Sequence, residues 1–316
     1  MDIKNTIYRF NTRNGVKPKL SDWFENQLDL LIEKKYFHDN TELLRKGIVA
    51  QLKNYSETHN INNIVLGMSG GIDSALTASL FKKAGWTVTG CTLPINQEPE
   101  ETLRGREACR ALEIEHMEID LSEAFYSYLN LACRDADPKL HAQNFLEKAE
   151  KIRAGNIRAR LRMITLYNLA NRLGGIVGST DNFSELSAGF WTLHGDVGDV
   201  APIQSLSKSW EVPLLAEDMD VPESIIKATP TDGLGVDSGD EAQFGFSYLQ
   251  FDIVLYSLIF NLDLGKPTKT DKKIIDSVKS RIKSTAYKRI NPVNLDHPIR
   301  GRAFYDALQN LDDKLL

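Results

Sequence analysis

The sequence predicts an α/β fold, a doubly wound parallel sheet with helices on both faces. Three observations point to it. Short apolar runs alternate with amphipathic stretches between residues 59 and 178. The first run opens into a glycine-rich turn. The two loops richest in polar and glycine residues both follow the carboxyl ends of such runs, where parallel sheets bind ligands.

The elements follow in order. Residues 20–58 read as helical, with Trp23, Leu28, Leu30 and Leu31 leading into a second amphipathic stretch from Leu43 to Leu52. Asn63 to Gly67 (NIVLG) is a buried strand, and Asp73 to Ala84 is a helix with Ala75, Leu76, Leu80 and Phe81 inward. Trp86 to Pro94 reads as a second strand, Pro99 to Leu112 as a helix, His116 to Asp120 as a third strand and Ser122 to Cys133 as a helix. A long helix spans Asn144 to Arg172, and Gly175 to Gly178 (GIVG) forms a fourth strand. Beyond Pro202 the pattern is mostly helical and ends in a basic helix, Lys269 to Lys288. Thr229 to Glu241 (TPTDGLGVDSGDE) lacks apolar periodicity and reads as a mobile loop.

Composition narrows the function. With 316 residues, 42% hydrophobic and 26% charged, the chain can bury an ordinary core. A net charge of −5 argues against a nucleic-acid partner. No apolar run has the ~18 residues of a membrane span, and the first residues lack signal-peptide character. Cys91, Cys109 and Cys133 are widely spaced and form no C-x-x-C pair. They read as reduced thiols of a cytoplasmic protein.

Two loops carry the chemistry. Gly67-Met68-Ser69-Gly70-Gly71-Ile72-Asp73-Ser74 lies between a strand and a helix. Its glycines let the backbone approach a ligand, its amides can converge on an anion, and the helix start adds positive potential. It lacks the Gly-Lys-Ser/Thr ending of a Walker loop. Asp73 stands instead at the helix start, where a carboxylate can hold Mg²⁺ against phosphates. A plainer reading has Asp73 cap the helix and the glycines form a tight turn. The second loop, Gly178-Ser179-Thr180-Asp181-Asn182-Phe183-Ser184-Glu185, is followed by Gly189-Phe190-Trp191-Thr192, Gly195-Asp196 and Pro202.

The S-G-G-x-D-S run resembles the ATP pyrophosphatase group, and the second constellation resembles the NAD synthetase family within it. Gly155-Asn156-Ile157-Arg158-Ala159-Arg160-Leu161-Arg162-Met163 upstream, and Lys208, Lys227-Ala228 and Pro230-Thr231 downstream, match that family in order and approximate spacing over roughly residues 60–290. The resemblance implies an adenine nucleotide alpha hydrolase-like, Rossmann-like fold and ATP-dependent amidation of nicotinate adenine dinucleotide (deamido-NAD) to NAD. The carboxylate would be adenylated, ammonia would be the nitrogen donor, and AMP and pyrophosphate would be released. It implies that Gly67, Met68, Ser69, Gly70, Gly71, Ile72, Asp73, Ser74, Thr180, Lys208 and Thr231 contact ATP, and that Asp73 and Glu185 bind Mg²⁺. Arg160, Asp199, Tyr287 and Lys288 would contact the dinucleotide, in a site at a homodimer interface. Asp73, Lys208 and Asp199 would carry the catalysis, Asp199 as acceptor of a proton from ammonium. The boundaries expected are a helical segment over 1–58, the synthetase-like domain over 59–293 and a tail over 294–316.

Taken singly, these residues have plainer readings. Thr180 and Glu185 can form a helix-capping pair, Arg160 can be an exposed helix arginine, Lys208 and Lys288 can be surface lysines, and Phe190 and Trp191 can be core. Three departures fall on the dinucleotide side. Leu193 stands where the family carries lysine, Tyr287 replaces a histidine, and Gly195 to Pro202 is one residue short, which leaves Asp196 and Asp199 as alternatives. The ~60 residues before the cradle are too few for a nitrilase-type amidohydrolase domain, so free ammonia, or ammonia from a separate glutaminase, is expected. The competing readings are a GMP synthetase-like enzyme, a tRNA-modifying enzyme and a non-catalytic nucleotide-binding regulator. The first lacks its dimer module here, the second its paired cysteines and basic face. Intact Asp73, Glu185 and Lys208 argue against the third.

Overall fold

A computed structural model describes residues 2–13, 15–132, 148–227, 241, 245–290 and 298–299. Its centre is β1 (Asn63–Gly67), buried along Ile64, Val65 and Leu66. β2 (Thr87–Thr92) and β3 (Glu115–Glu118) extend the sheet on one side and β4 (Ile176–Val177) on the other, giving the order β3-β2-β1-β4 with every pairing parallel. Val65 stands opposite both Thr89 and Val177. A further parallel bridge joins Gly178 to Val200.

Strand side chains alternate between faces, and here that alternation separates two cores. Ile64 and Leu66 pack beneath α3 (Thr41–His59) and α4 (Ile72–Lys83), with Leu52, Leu76, Leu80 and Phe81. Val65 and Val177 face the other way, onto α6 (Ser122–Ala132) and α7 (Lys148–Arg172), with Phe125, Met163, Leu166 and Leu169. α5 (Pro99–Ala111) joins β2 to β3. The sheet is thus doubly wound, as expected, and the helices of the crossovers begin within one or two residues of their expected starts. The long helix is described from Lys148.

A third core lies beside the sheet. α1 (Ile3–Phe10) and α2 (Asp22–Glu33) pack Ile7, Phe10, Phe24, Leu28 and Leu31 against α11 (Tyr248–Ile259) and α12 (Lys269–Ser284). α8 (Phe183–Ala188) and α9 (Glu211–Asp218) border it, and α10 (Glu223–Ile226) is a single short turn. α1 falls within the expected helical segment over 1–58, ahead of the amphipathic stretches read over 20–58. Asp2 caps it by accepting from Asn5 N, and Thr6, Ile7 and Phe10 are buried. α3 separates from α1 and α2 by lying on the sheet, where Trp86 Nε1 donates to Leu52 O. The Thr229 to Glu241 segment lies outside the described residues, apart from Glu241. Among the described residues no helix is long and apolar enough to cross a membrane.

Candidate active site

Two loops meet at the carboxyl ends of β1 and β4. After β1, Met68 N donates to Cys91 O at 2.8 Å, so the chain leaves the sheet only at Ser69. Gly70 has φ +79°, and a Cβ there would lie 2.7 Å from Arg104 Cβ and 2.9 Å from Glu101 O. Glycine is required on both counts. Ser69 Oγ accepts from Gly71 N at 3.2 Å, and Ser74 Oγ donates to Gly71 O at 3.0 Å. Gly71 is the N-cap of α4 and offers no side chain to it. The first amides of α4 therefore lack a side-chain cap at the cavity, where an anion can satisfy them.

Asp73 is not the helix cap. Its Oδ1 accepts from Asn182 Nδ2 at 3.0 Å, and its Oδ2 is hydrogen-bonded to Lys208 Nζ. Lys208 Nζ lies 3.3 Å from Glu185 Oε1 as well. Both carboxylates that the resemblance implies for metal binding thus converge on one ammonium group. All three side chains are largely buried, at 8% exposure for Lys208, 16% for Asp73 and 14% for Glu185.

The second loop is stiffened from within. Asn182 and Glu185 form a capping box on α8, Asn182 Oδ1 accepting from Glu185 N at 3.0 Å and Glu185 Oε2 from Asn182 N at 3.4 Å. The capping partner of Glu185 is Asn182, not Thr180, which lines the cavity. Lys208 is positioned by its backbone: its N–H donates to Ser184 Oγ at 2.9 Å, and Ser184 Oγ donates to Asp252 Oδ1 at 2.5 Å. Ser209 N donates to the other Asp252 oxygen at 3.0 Å. Burial pushes the Asp252 carboxyl up to about 6.

The cavity has a volume of about 450 Å³ and extends from the glycine loop along α7 to Trp191 and Lys288. Its remote wall includes Asp196, Arg162, Trp191 and Lys288. Asp196 Oδ2 accepts from Thr192 N at 2.5 Å, and Lys288 Nζ donates to Gly189 O and Trp191 O at 2.7 and 2.5 Å. Arg162 donates to Leu93 O and to Gln97 Oε1 at 3.0 and 2.8 Å. Burial raises the carboxyls of Asp181 and Asp196 above the usual carboxylate range; for Asp181 the charges of Asp196, Glu185 and Asp73 add to it. Ser179 Oγ donates to Asp181 Oδ2 at 3.0 Å.

The expected site residues divide. Gly67 to Ser74, Thr180, Glu185, Lys208 and Lys288 all line the one cavity. Asp199, Arg160 and Tyr287 are not in its lining. Asp199 accepts from Tyr167 Oη at 2.8 Å and Val177 N at 2.9 Å, while Asp196 takes the position facing the cavity. Arg160 is exposed and donates to Leu193 O at 3.1 Å, and Tyr287 is exposed on the 3₁₀ turn Ala286–Arg289. Thr231 lies outside the described residues. The sequence reading passed over Asn182, Asp181, Arg104 and Asp252. Asn182 had a local signal, the N-x-x-E capping pattern, and Asp252 another, as the acid inside the apolar helix YLQFDIVLYSLI.

The NAD synthase family matches residues 44–292 of the chain. An NH(3)-dependent NAD(+) synthetase of Alkaliphilus oremlandii is 36% identical over 217 residues, covering 67% of this chain and 85% of that protein. Among solved structures, an NMN synthetase from Francisella tularensis is similar at a TM-score of 0.68 and 28% identity, covering 82% of this chain and 99% of that one. An NH3-dependent NAD synthetase from Campylobacter jejuni, in complex with the nitrate ion, is similar at a TM-score of 0.63 and 26% identity, covering 81% and 100%.

Proposed function

The chain belongs to the NAD synthase family, and from that premise we propose that it is an ammonia-dependent NAD synthetase, a ligase that amidates deamido-NAD at the expense of ATP. The carboxylate oxygen attacks the α-phosphorus, the bond to the bridging oxygen breaks, and pyrophosphate leaves with the electron pair. Ammonia then attacks the acyl carbon, the acyl C–O bond breaks so that AMP departs with its electron pair, and the nitrogen gives up one proton as the amide forms. The observation that carries this reading is the meeting of Asp73 and Glu185 at Lys208 beside the glycine loop.

Two anions must approach each other in the first step, so catalysis is mostly positioning and charge neutralisation. The glycine loop and the start of α4 grip the pyrophosphate end. Lys208 neutralises charge beside it. Asp73 and Glu185 fit Mg²⁺, which favours one or two carboxylates completed by phosphate oxygens over a cage of protein ligands; among the described residues no group of three or more His, Cys, Asp or Glu is placed to hold a metal. The ion would supply charge neutralisation of the polyphosphate there. We assign the acid near the nicotinate to Asp196, which lines the cavity with Lys288, in preference to Asp199.

The functional unit is proposed to be a homodimer. α6 and α7 expose Tyr128, Leu131, Ile164 and Tyr167 along one side of the sheet, a surface suited to burial against a second copy. A cytoplasmic location agrees with the free, buried thiols of Cys91 and Cys109.

The test is turnover. With deamido-NAD, ATP, Mg²⁺ and ammonium, the protein forms NAD, AMP and pyrophosphate in equal amounts, and binding of ATP without product would remove the enzymatic reading. A second reading is favoured by the similarity to a protein named NMN synthetase: the acid is nicotinate mononucleotide. Leu193 and Tyr287 depart from the dinucleotide-binding pattern. The ratio of kcat/KM for the two acids, measured side by side, decides between them.

A further inference from the structure

Arg104 lies on the second turn of α5, and that turn is pressed against the glycine loop. A Cβ on Gly70 would meet Arg104 Cβ at 2.7 Å and Gly105 N at 2.9 Å, and one on Gly105 would meet Met68 O at 2.4 Å. Loop and helix therefore touch backbone to backbone, and neither can shift without the other. The Arg104 side chain lines the cavity together with Gly70 and Gly71. Its Nε is shut off from solvent and, among the described residues, has no hydrogen-bond partner.

The neighbouring cations are differently committed. Arg162 donates to Leu93 O and Gln97, Lys288 to Gly189 O and Trp191 O, and Lys208 sits between two carboxylates. A buried guanidinium donor left without an acceptor is unfavourable. The balance changes if a ligand brings the acceptor. The ligand chemistry suited to the Gly70–Gly71 end of the cavity is phosphate, and the guanidinium fork matches two phosphate oxygens where an ammonium group acts only as a point charge.

We propose that Arg104 is a nucleotide-binding residue, donating through its guanidinium to the non-bridging oxygens of the β,γ-phosphate unit held by the glycine loop. The proposal rests on the ATP reading above. Negative charge grows on that unit as the bond to the α-phosphorus breaks, so a fixed cation there stabilises the leaving pyrophosphate. Arg104 stands 30 residues after Ser74, outside the S-G-G-x-D-S run, and only the packing of α5 brings it to the phosphates.

The experiment compares the full chain with its R104Q and R104K variants. It reads the KM for ATP, the inhibition constant of inorganic pyrophosphate, the KM for the acid and the unfolding midpoint. R104Q raises the first two by about tenfold or more, as loss of a charge-assisted pair predicts, and leaves the last two near the wild-type values. R104K recovers part of the loss. Wild-type values of both ATP KM and pyrophosphate inhibition in R104Q overturn the proposal. If R104Q does not fold, R104K decides, since unchanged constants in that variant overturn it equally. Should the wild type release no pyrophosphate at all, the ATP reading fails, and calorimetry with inorganic pyrophosphate then tests Arg104 alone. Equal affinity for wild type and variant removes it.

Discussion

Asn182 Nδ2 donates to Asp73 Oδ1 over 3.0 Å, linking two loops that are 109 residues apart in the chain. The same asparagine caps α8 through Glu185 N. One side chain thus sets the separation of the two carboxylates. Asn182→Asp keeps the cap, because aspartate is an equally good N-cap, but removes the donor and adds a third negative charge beside Asp73 and Glu185. Expected is a fall in kcat/KM of about ten- to hundredfold, scaled on one to two lost charge-assisted contacts, with an unfolding midpoint close to wild type in the presence of Mg²⁺. Steady-state kinetics with a thermal melt measures both. An unaltered kcat/KM would show that the link is incidental.

Lys208 gives a second prediction. Its ammonium holds Asp73 and Glu185 together in a site where its own side chain is 8% exposed. Lys208→Met leaves two buried carboxylates facing each other, and removal of one partner from such a cluster costs about 3–5 kcal/mol. Added Mg²⁺ restores much of that stability if the two carboxylates hold the ion. A Mg²⁺ titration followed by the unfolding midpoint should show a larger rise for K208M than for wild type. Equal rises would place the ion elsewhere.

Much of this arrangement is legible in the sequence, and the limit has a physical form. β1 is readable because a buried parallel strand leaves an apolar run, and the turn after it because glycine suits a positive φ in a place with no room for a Cβ, as at Gly70. The two loops could be assigned to one site because both follow strands of a parallel sheet. What stayed hidden depends on contacts between distant segments. Arg104 belongs to no local pattern and comes to line the cavity beside Gly70 only through the packing of α5. The spacing between Gly195 and Pro202 leaves two aspartates three residues apart, and only the fold turns Asp196 inward and Asp199 toward Tyr167. α1 did leave a trace, since Ile3, Ile7 and Phe10 share a helix face, but eight residues are too few for the periodicity to stand out.

Asp252 makes stability depend on pH. Burial raises its carboxyl from 3.8 to about 6, against the hydrogen bonds from Ser184 and Ser209. The folded pKa lies above the unfolded one, so the folded state holds the proton more tightly. The resulting stabilisation is complete below the unfolded value and is lost as pH rises through about 6. Asp252→Asn cannot titrate. The difference in unfolding free energy, wild type minus D252N, should therefore grow as pH falls from about 7.5 to about 5. Urea melts across that range measure it, and a flat difference would show that Asp252 is ionised throughout.

The N-terminal helices supply the last prediction. α1 and α2 precede residue 44, where the family match begins, yet the segment that carries them bears directly on the loop of Lys208. Asn11 Nδ2 donates to Ser209 O at 2.9 Å, and Trp210 Nε1 donates to His38 O at 2.7 Å, so the residues on the carboxyl side of Lys208 are held from that segment. Phe24 and Leu28 are fully buried in the core that α2 shares with α11. Phe24→Ala should cost about 3–5 kcal/mol by loss of burial and creation of a cavity. Asn11→Ala tests the link to the site separately. It removes a hydrogen bond to the lysine loop at a cost of about 1 kcal/mol in stability, and kcat should fall several-fold while the KM for the acid stays constant. A loss of stability in N11A with kcat unchanged would mean that the N-terminal helices brace the core without positioning Lys208.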